Sequence, residues 1–331
     1  MKTRFEGFES LLAQDIQAYL QHKRALGRKF DTEERALQLL DRYFTAHPVS
    51  DVSQITSQMI DAFLLSRPRH RPRSYNHLLG VIRCFFHWLC IQERLPHSPV
   101  HAKPQSARSQ QTPFLFSVEQ IHQLLSLAAQ LPDNPRALHR SEIYSLIFAL
   151  MYGLGLRVGE VSRLCHQDID LQRQLLVIRE TKFGKSRLVP FGPKLAKRIE
   201  AYLEQRVLWQ SQWHLHDPLF SFSDSHKKPI HPGTIIQTFH HLIAQLKLNI
   251  PPGVAAPHLH CLRHSFAVST LLHWYRQGIN PSQRLFHLST FMGHVDPSST
   301  AWYITITDEL LQTASRRFEN MAPSMRQGEV L

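Results

Sequence analysis

Four stretches in the second half of the chain bring together side chains able to bind an oxyanion, move a proton or attack an electrophile. GLGLRVGEVSRL carries Arg157, TKFGKSRLVPF carries Lys182, LHCLRHSFAVSTLL carries His260 and Arg263, and FMGHVDPSSTAWY carries His294 and Tyr303. A guanidinium holds an oxyanion through paired, charge-assisted hydrogen bonds. An imidazole or an ammonium exchanges a proton near neutral pH once its surroundings adjust its pKa. A phenol, with an ordinary pKa of about 10, becomes a nucleophile only with help from such groups. Singly, each residue has a plainer explanation. Arg157 alone reads as a surface or salt-bridging residue and Tyr303 as an interfacial aromatic. His260 and His264 have the spacing of a metal pair, yet among 22 histidines close pairs arise by chance, and no HExxH or Cys/His ladder completes a zinc site. No metal is expected.

The elements that must position these groups fall into two sets. From residue 8 to about residue 93 the apolar period is helical, with segments at Leu11–Leu26, Asp31–Ala46, Ile55–Leu65 and Ser74–Ile91, a small bundle. Asp31 followed by Glu34 has the spacing of a capping box. Phe85, Phe86 and Trp88 read as core. Between the third and fourth helices SRPRHRPRSYN sets Arg67, Arg69, Arg71 and Arg73 at the start of a long helix, where free backbone N–H groups already favour phosphate. Residues 96–113, rich in proline, serine and glutamine, read as a linker between domains 1–95 and 114–331. Beyond it come helices at Ser117–Leu131 and Ser141–Leu154, a strand pair at Leu175–Arg179 and Ser186–Phe191, and helices near Pro193–Gln210, Pro232–Leu246, Leu259–Tyr275, Ser282–Met292 and Asp308–Phe318. The fold class is mainly α with a small β-sheet.

Lys and Arg number 38 against 26 Asp and Glu, a formal charge of +12, so the protein attracts polyanions, nucleic acid first among them. With 43% hydrophobic and 19% charged residues it is globular rather than disordered. The start of the sequence carries acids and no apolar run, and no stretch approaches membrane-spanning length, which predicts a cytoplasmic protein with no membrane partner. Cys84, Cys90, Cys165 and Cys261 form no CxxC pair and read as reduced, buried thiols.

In order and spacing, the four stretches resemble the active-site boxes of the tyrosine recombinase and phage-type integrase family. The resemblance covers roughly residues 112–318, and the amino-terminal bundle is similar to the family's core-binding domain in size, helicity and charge. It implies that Arg157 and Arg263 clamp a phosphodiester and that His294 helps to hold it. His260 is implied as general base, Lys182 as general acid with Lys185 as its runner-up, and Tyr303 as the nucleophile forming a 3′-phosphotyrosyl intermediate. Neither ATP, metal nor any other cofactor is implied. Arg67, Arg69, Arg71, Arg73, Lys185 and Arg187 are the expected DNA contacts.

The same resemblance implies a chain that is monomeric in solution, assembles as a homo-tetramer on double-stranded core sites and exchanges strands through a Holliday junction. Integration or excision of a mobile element is the expected role, with Xer-like dimer resolution as the alternative. Outside the class stand a type IB topoisomerase, which lacks site choice, and a non-catalytic DNA-binding regulator. Three features depart from the pattern. The stretch INPSQRLFHLSTFM is about four residues longer than in compact members, lysine sits in a TKFGK context, and Val268 stands where a small hydroxyl residue is common.

Overall fold

The computed structural model describes residues 7–69, 71–106, 112–179, 186–209, 213–222, 228–294 and 296–305. The chain divides into two compact units, 1–110 and 111–331.

The first unit is a bundle of α1 (Ala13–Ala25), α2 (Asp31–Ala46), α3 (Ser57–Leu65) and α4 (Pro72–Ile91). Proline at the first helical position starts α4, where its missing N–H costs nothing. That helix buries Leu78, Leu79, Ile82, Phe85, Phe86 and Leu89 on one face, and Tyr19 of α1 meets the edges of Phe85 and Trp88. The aromatics of α4 are therefore core. Asp41, buried in α2, accepts hydrogen bonds from the backbone N–H groups of Glu9 and Ser10 and from the Ser10 hydroxyl, which ties the chain before α1 to the bundle. The expected capping box at Asp31 does not form. Phe30 occupies the cap position in a left-handed conformation, and Glu34 pairs instead with Arg24 at 2.7 Å. Residues 96–106, expected to begin the linker, lie along this unit. Val100 is buried in its core, the Arg83 guanidinium donates to the Ala102 carbonyl, and Asn76 and Gln105 exchange two hydrogen bonds at 2.8 Å.

The second unit is built around α6 (Arg140–Gly153), apolar on nearly every side and packed against α5 (Val118–Ala128), α8 (Pro193–Trp209) and α10 (Cys261–Arg276). A helix apolar all round belongs in the centre of a unit. α9 is Pro232–Gln245, and the short α7 spans Val158–Ser162. A three-stranded antiparallel sheet runs in order β1 (Ile169–Asp170), β2 (Leu175–Ile178), β3 (Arg187–Pro190). In its register Leu176 faces Val189, and the inner face carries Leu176, Ile178 and Val189. β2 and β3 are the expected strand pair. β1, two residues long, has too little alternation to be visible in sequence.

The long stretch before His294 folds as α11 (Pro281–Met292), with the Asn280 side chain accepting from the Ser282 N–H at its start and Gly293 in the left-handed conformation at its end. Val268 joins Leu271, Leu288 and Met292 in a small core, so its departure from the pattern is one of packing. After α12 (Ser298–Ala301) a 3-10 turn over Trp302–Thr305 presents Tyr303. The expected helix at Asp308–Phe318 lies outside the described residues, among which no helix is long and apolar enough to cross a membrane.

Candidate active site

The end of α11 leaves carbonyls without helical partners, at the negative pole of the helix dipole. Three guanidiniums converge on them. Arg187 Nε donates to the Phe291 carbonyl at 2.8 Å, Arg263 Nη2 to Met292 at 2.7 Å, and Arg157 to Met292 at 3.4 Å and to Gly293 at 2.9 Å. Arg263 is 0% exposed and also donates to the Gly155 carbonyl, while its Nε, equally buried, has no hydrogen-bond partner among the described residues. Gly155 is required where it stands. It has φ +59°, and a Cβ there would lie 2.5 Å from the Phe266 ring. Burial and the charge of Arg157 bring Arg263 down to about 9, which still leaves it a cation at neutral pH.

One carboxylate serves two of these three cations. Glu160, 4% exposed, accepts both Nη groups of Arg187 at 2.9 Å and Arg157 Nη1 at 2.7 Å, and its other contact is the Arg157 backbone N–H at 3.0 Å. Burial raises its pKa, but the hydrogen bonds and charge of Arg187, then those of Arg157, outweigh this and hold it at about 2. The cluster thus keeps two positive charges in excess in a largely buried place, an arrangement that attracts an anion.

Around the arginines stand histidines and the phenol. His294 Nδ1 meets the Thr300 hydroxyl at 2.6 Å, Thr300 being fully buried. The His294 and Tyr303 rings are stacked, with centroids 6.5 Å apart and planes at 16°. Tyr303 is 3% exposed and its hydroxyl lies 2.8 Å from His264 Nδ1. Burial raises the phenol's pKa, though Arg263 and Arg157 oppose it. Burial first, and then neighbouring positive charge, holds His264 and His294 near 4, so both are neutral at pH 7. His260, whose residue as a whole is exposed, is likewise lowered, by the partial desolvation of its ring and then by His264, Arg263, His258 and Arg157.

Of the residues expected from sequence, Arg157, Arg263, His294 and Tyr303 share one cluster. His260 borders it, its ring 4.7 Å from that of His264 and perpendicular to it. The imidazole on the Tyr303 hydroxyl is His264, not His260. Lys182 and Lys185 lie outside the described residues. Arg187, expected as a DNA contact, has its fork engaged by Glu160 and its side chain is only 9% exposed. The reason is strand alternation, since Arg187 shares the inner face with Val189 while Leu188 between them is 61% exposed. Arg69, Arg71 and Arg73 are exposed around the start of α4, and Arg67 is half-buried. Sequence reasoning missed Glu160, three residues after Arg157 across one helical turn, and Thr300, six after His294.

Residues 116–309 match the model of the phage integrase family. The Sinorhizobium fredii protein named "Putative integrase/recombinase y4rB" is 33% identical over 315 residues, covering 94% of this chain and 98% of that protein. Tyrosine recombinase XerC of Pediococcus pentosaceus is 26% identical over 308 residues, 92% of this chain and 89% of that one. Among solved structures, the Tn1549 transposon integrase in complex with a circular intermediate DNA aligns at TM-score 0.64 and 14% identity over 93% of this chain and 100% of that one. A lambda integrase dimer bound to a COC′ core site aligns at 0.61 and 16% over 87% and 96%.

Proposed function

The chain belongs to the phage integrase family of tyrosine recombinases, and from that premise we propose that it is a site-specific DNA recombinase whose Tyr303 breaks and rejoins a DNA strand. The observation that carries this is the Tyr303 hydroxyl held beside a cluster of three guanidiniums, Arg157, Arg187 and Arg263, with a single carboxylate that pairs with the first two. A phosphodiester monoanion supplies the negative charge that this cluster lacks. Arg157 and Arg263 hold the non-bridging oxygens as charge builds there. His294, its Nδ1 engaged by Thr300, offers Nε2–H as a further donor.

Tyr303 Oη attacks phosphorus and loses its proton to a histidine base, for which His260 is the candidate. The bond from phosphorus to the 5′ oxygen breaks, Lys182 protonates that oxygen, and a 3′-phosphotyrosyl link remains. Attack by a 5′ hydroxyl from a second strand reverses the step. Bond energy is conserved, so the exchange calls for no ATP. The first unit, with Arg67, Arg69, Arg71 and Arg73, grips the duplex core site, and four copies assemble on DNA to resolve a Holliday junction. Integration or excision of a mobile element is the role we favour, with Xer-like dimer resolution as the alternative; the y4rB relative is named a putative integrase/recombinase and the Pediococcus one XerC.

One selection both finds the core site and tests the reading. A nicked duplex library with a randomised core is incubated with the protein, denatured, and the covalent protein–DNA adducts are sequenced. Recovery of one inverted-repeat core by the wild type and of none by Tyr303→Phe supports the reading. Adducts without sequence preference point to a topoisomerase, and no adducts at all to a DNA-binding regulator.

A further inference from the structure

We propose that His264 is a positioning residue for the nucleophile: its Nδ1 accepts the Tyr303 O–H and holds the phenol in register with the arginine cluster. This rests on the reading of Tyr303 as nucleophile and adds a residue to that site.

His264 is built to be immobile. Its ring lies among those of His258 (centroids 6.1 Å apart), His260 (4.7 Å), Trp302 (6.1 Å) and Tyr303 (5.5 Å), each inclined by 56° or more. It follows Arg263 directly on α10, so the backbone that seats the clamp also seats the imidazole. The near-parallel His294 ring also lies beside the phenol, its centroid 6.5 Å away. Among the described residues, the hydroxyl's hydrogen-bond partner is His264 Nδ1 at 2.8 Å.

The direction of that bond matters for chemistry. With the proton of His264 on Nε2, Nδ1 accepts and both oxygen lone pairs of the phenol stay available for phosphorus. In the other tautomer the ring would donate into a lone pair and blunt the nucleophile. A residue that acts in this way can be imitated: asparagine places its side-chain oxygen near the position of Nδ1, whereas glutamine reaches toward Nε2 and leucine offers no acceptor.

The experiment compares wild type, His264→Asn, His264→Gln and His264→Leu on a nicked duplex carrying the core recovered by adduct sequencing, at saturating DNA. Misplacing a reacting group by about 1 Å costs up to about 100-fold, so His264→Leu and His264→Gln are expected to slow adduct formation about 10- to 100-fold with unchanged DNA affinity. His264→Asn should stay within about threefold of wild type. Leucine at the wild-type rate, or asparagine as slow as leucine, overturns the proposal. A second arm uses neither DNA nor a His264 variant: nitrogen-15 spectra of wild type and Tyr303→Phe. A proton-free Nδ1 on His264 whose resonance moves when the phenol hydroxyl is removed supports the proposal, and a protonated or unmoved Nδ1 overturns it. If the wild type forms no adduct on any duplex, the recombinase reading fails by itself, and the spectra still decide the hydrogen bond.

Discussion

The guanidiniums of Arg157 and Arg263 meet at one oxygen, the backbone carbonyl of Met292, although the two residues are 106 positions apart in sequence. A single carbonyl at the negative end of α11 sets the spacing of the pair, so the phosphate clamp proposed for them would be as rigid as the helix end that holds it.

Lysine keeps the charge but not the fork. Arg157→Lys and Arg263→Lys should each lower the rate of covalent adduct formation by about 100- to 1000-fold, the range for one preorganised donor at a developing oxyanion. The measurement is single-turnover capture on the selected core. Arg263→Lys should in addition lower the melting temperature, because the buried Gly155 and Met292 carbonyls lose a partner. Arg157, with a side chain 31% exposed, should leave it nearly unchanged.

Glu160→Gln removes the carboxylate that Arg157 and Arg187 share. Breaking a buried pair from one side costs about 3 to 5 kcal/mol, read as a lower urea midpoint. The wild-type carboxyl sits near 2 against an ordinary 4.5, so its stabilising contribution is complete above pH 4.5 and fades as pH falls toward 2. The Gln variant should lack that part of the acid transition, and an unchanged slope there would show that the carboxylate is not held by the arginines.

Much of this was legible in the sequence. The helices followed from apolar period, the strand pair from its flanking turn, and Arg157, Arg263, His294 and Tyr303 from motifs in a familiar order. What escaped was set by tertiary contact. Glu160 is one acid among 26 until its two arginines arrive from β3 and the start of α7. Arg187 reads as a surface cation in a basic hairpin, and only the register with Val189 turns it inward. The choice between His260 and His264 as the imidazole on Tyr303 depends on α10 starting at Cys261 and on the 3-10 turn that aims the phenol, neither of which spacing alone fixes.

His264 and His294 are neutral in the folded protein, with pKa values near 4 against an ordinary 6.5. Between those values the unfolded chain binds protons that the folded one excludes, so stability rises with pH across this window and falls as pH drops from about 6.5 to 4. Thermal unfolding at half-unit steps should show this loss, and His294→Gln should make it shallower, since His264, His260 and His166 still contribute. The window lies above that of Glu160, which allows the two contributions to be separated. A wild-type melting temperature flat from pH 6.5 to 4 would mean that the imidazoles are already solvated.

Gly293 closes α11 at φ +69°, and a Cβ added there would lie 2.7 Å from Arg187 Nη1. Two costs follow from Gly293→Ala. The left-handed backbone disfavours any L side chain by about 1 to 2 kcal/mol, and the methyl must push Arg187 off Glu160 or tilt the peptide whose carbonyl Arg157 Nη2 grips at 2.9 Å. The first cost falls on stability and the second on clamp geometry, so adduct formation should fall about 10-fold or more, well beyond what the shift in melting temperature accounts for. Combining Gly293→Ala with Arg187→Ala removes the clash and leaves the backbone strain. Recovery of rate without recovery of melting temperature in the double variant would assign the loss to the displaced guanidinium, whereas no recovery of rate would assign it to the peptide at the end of α11.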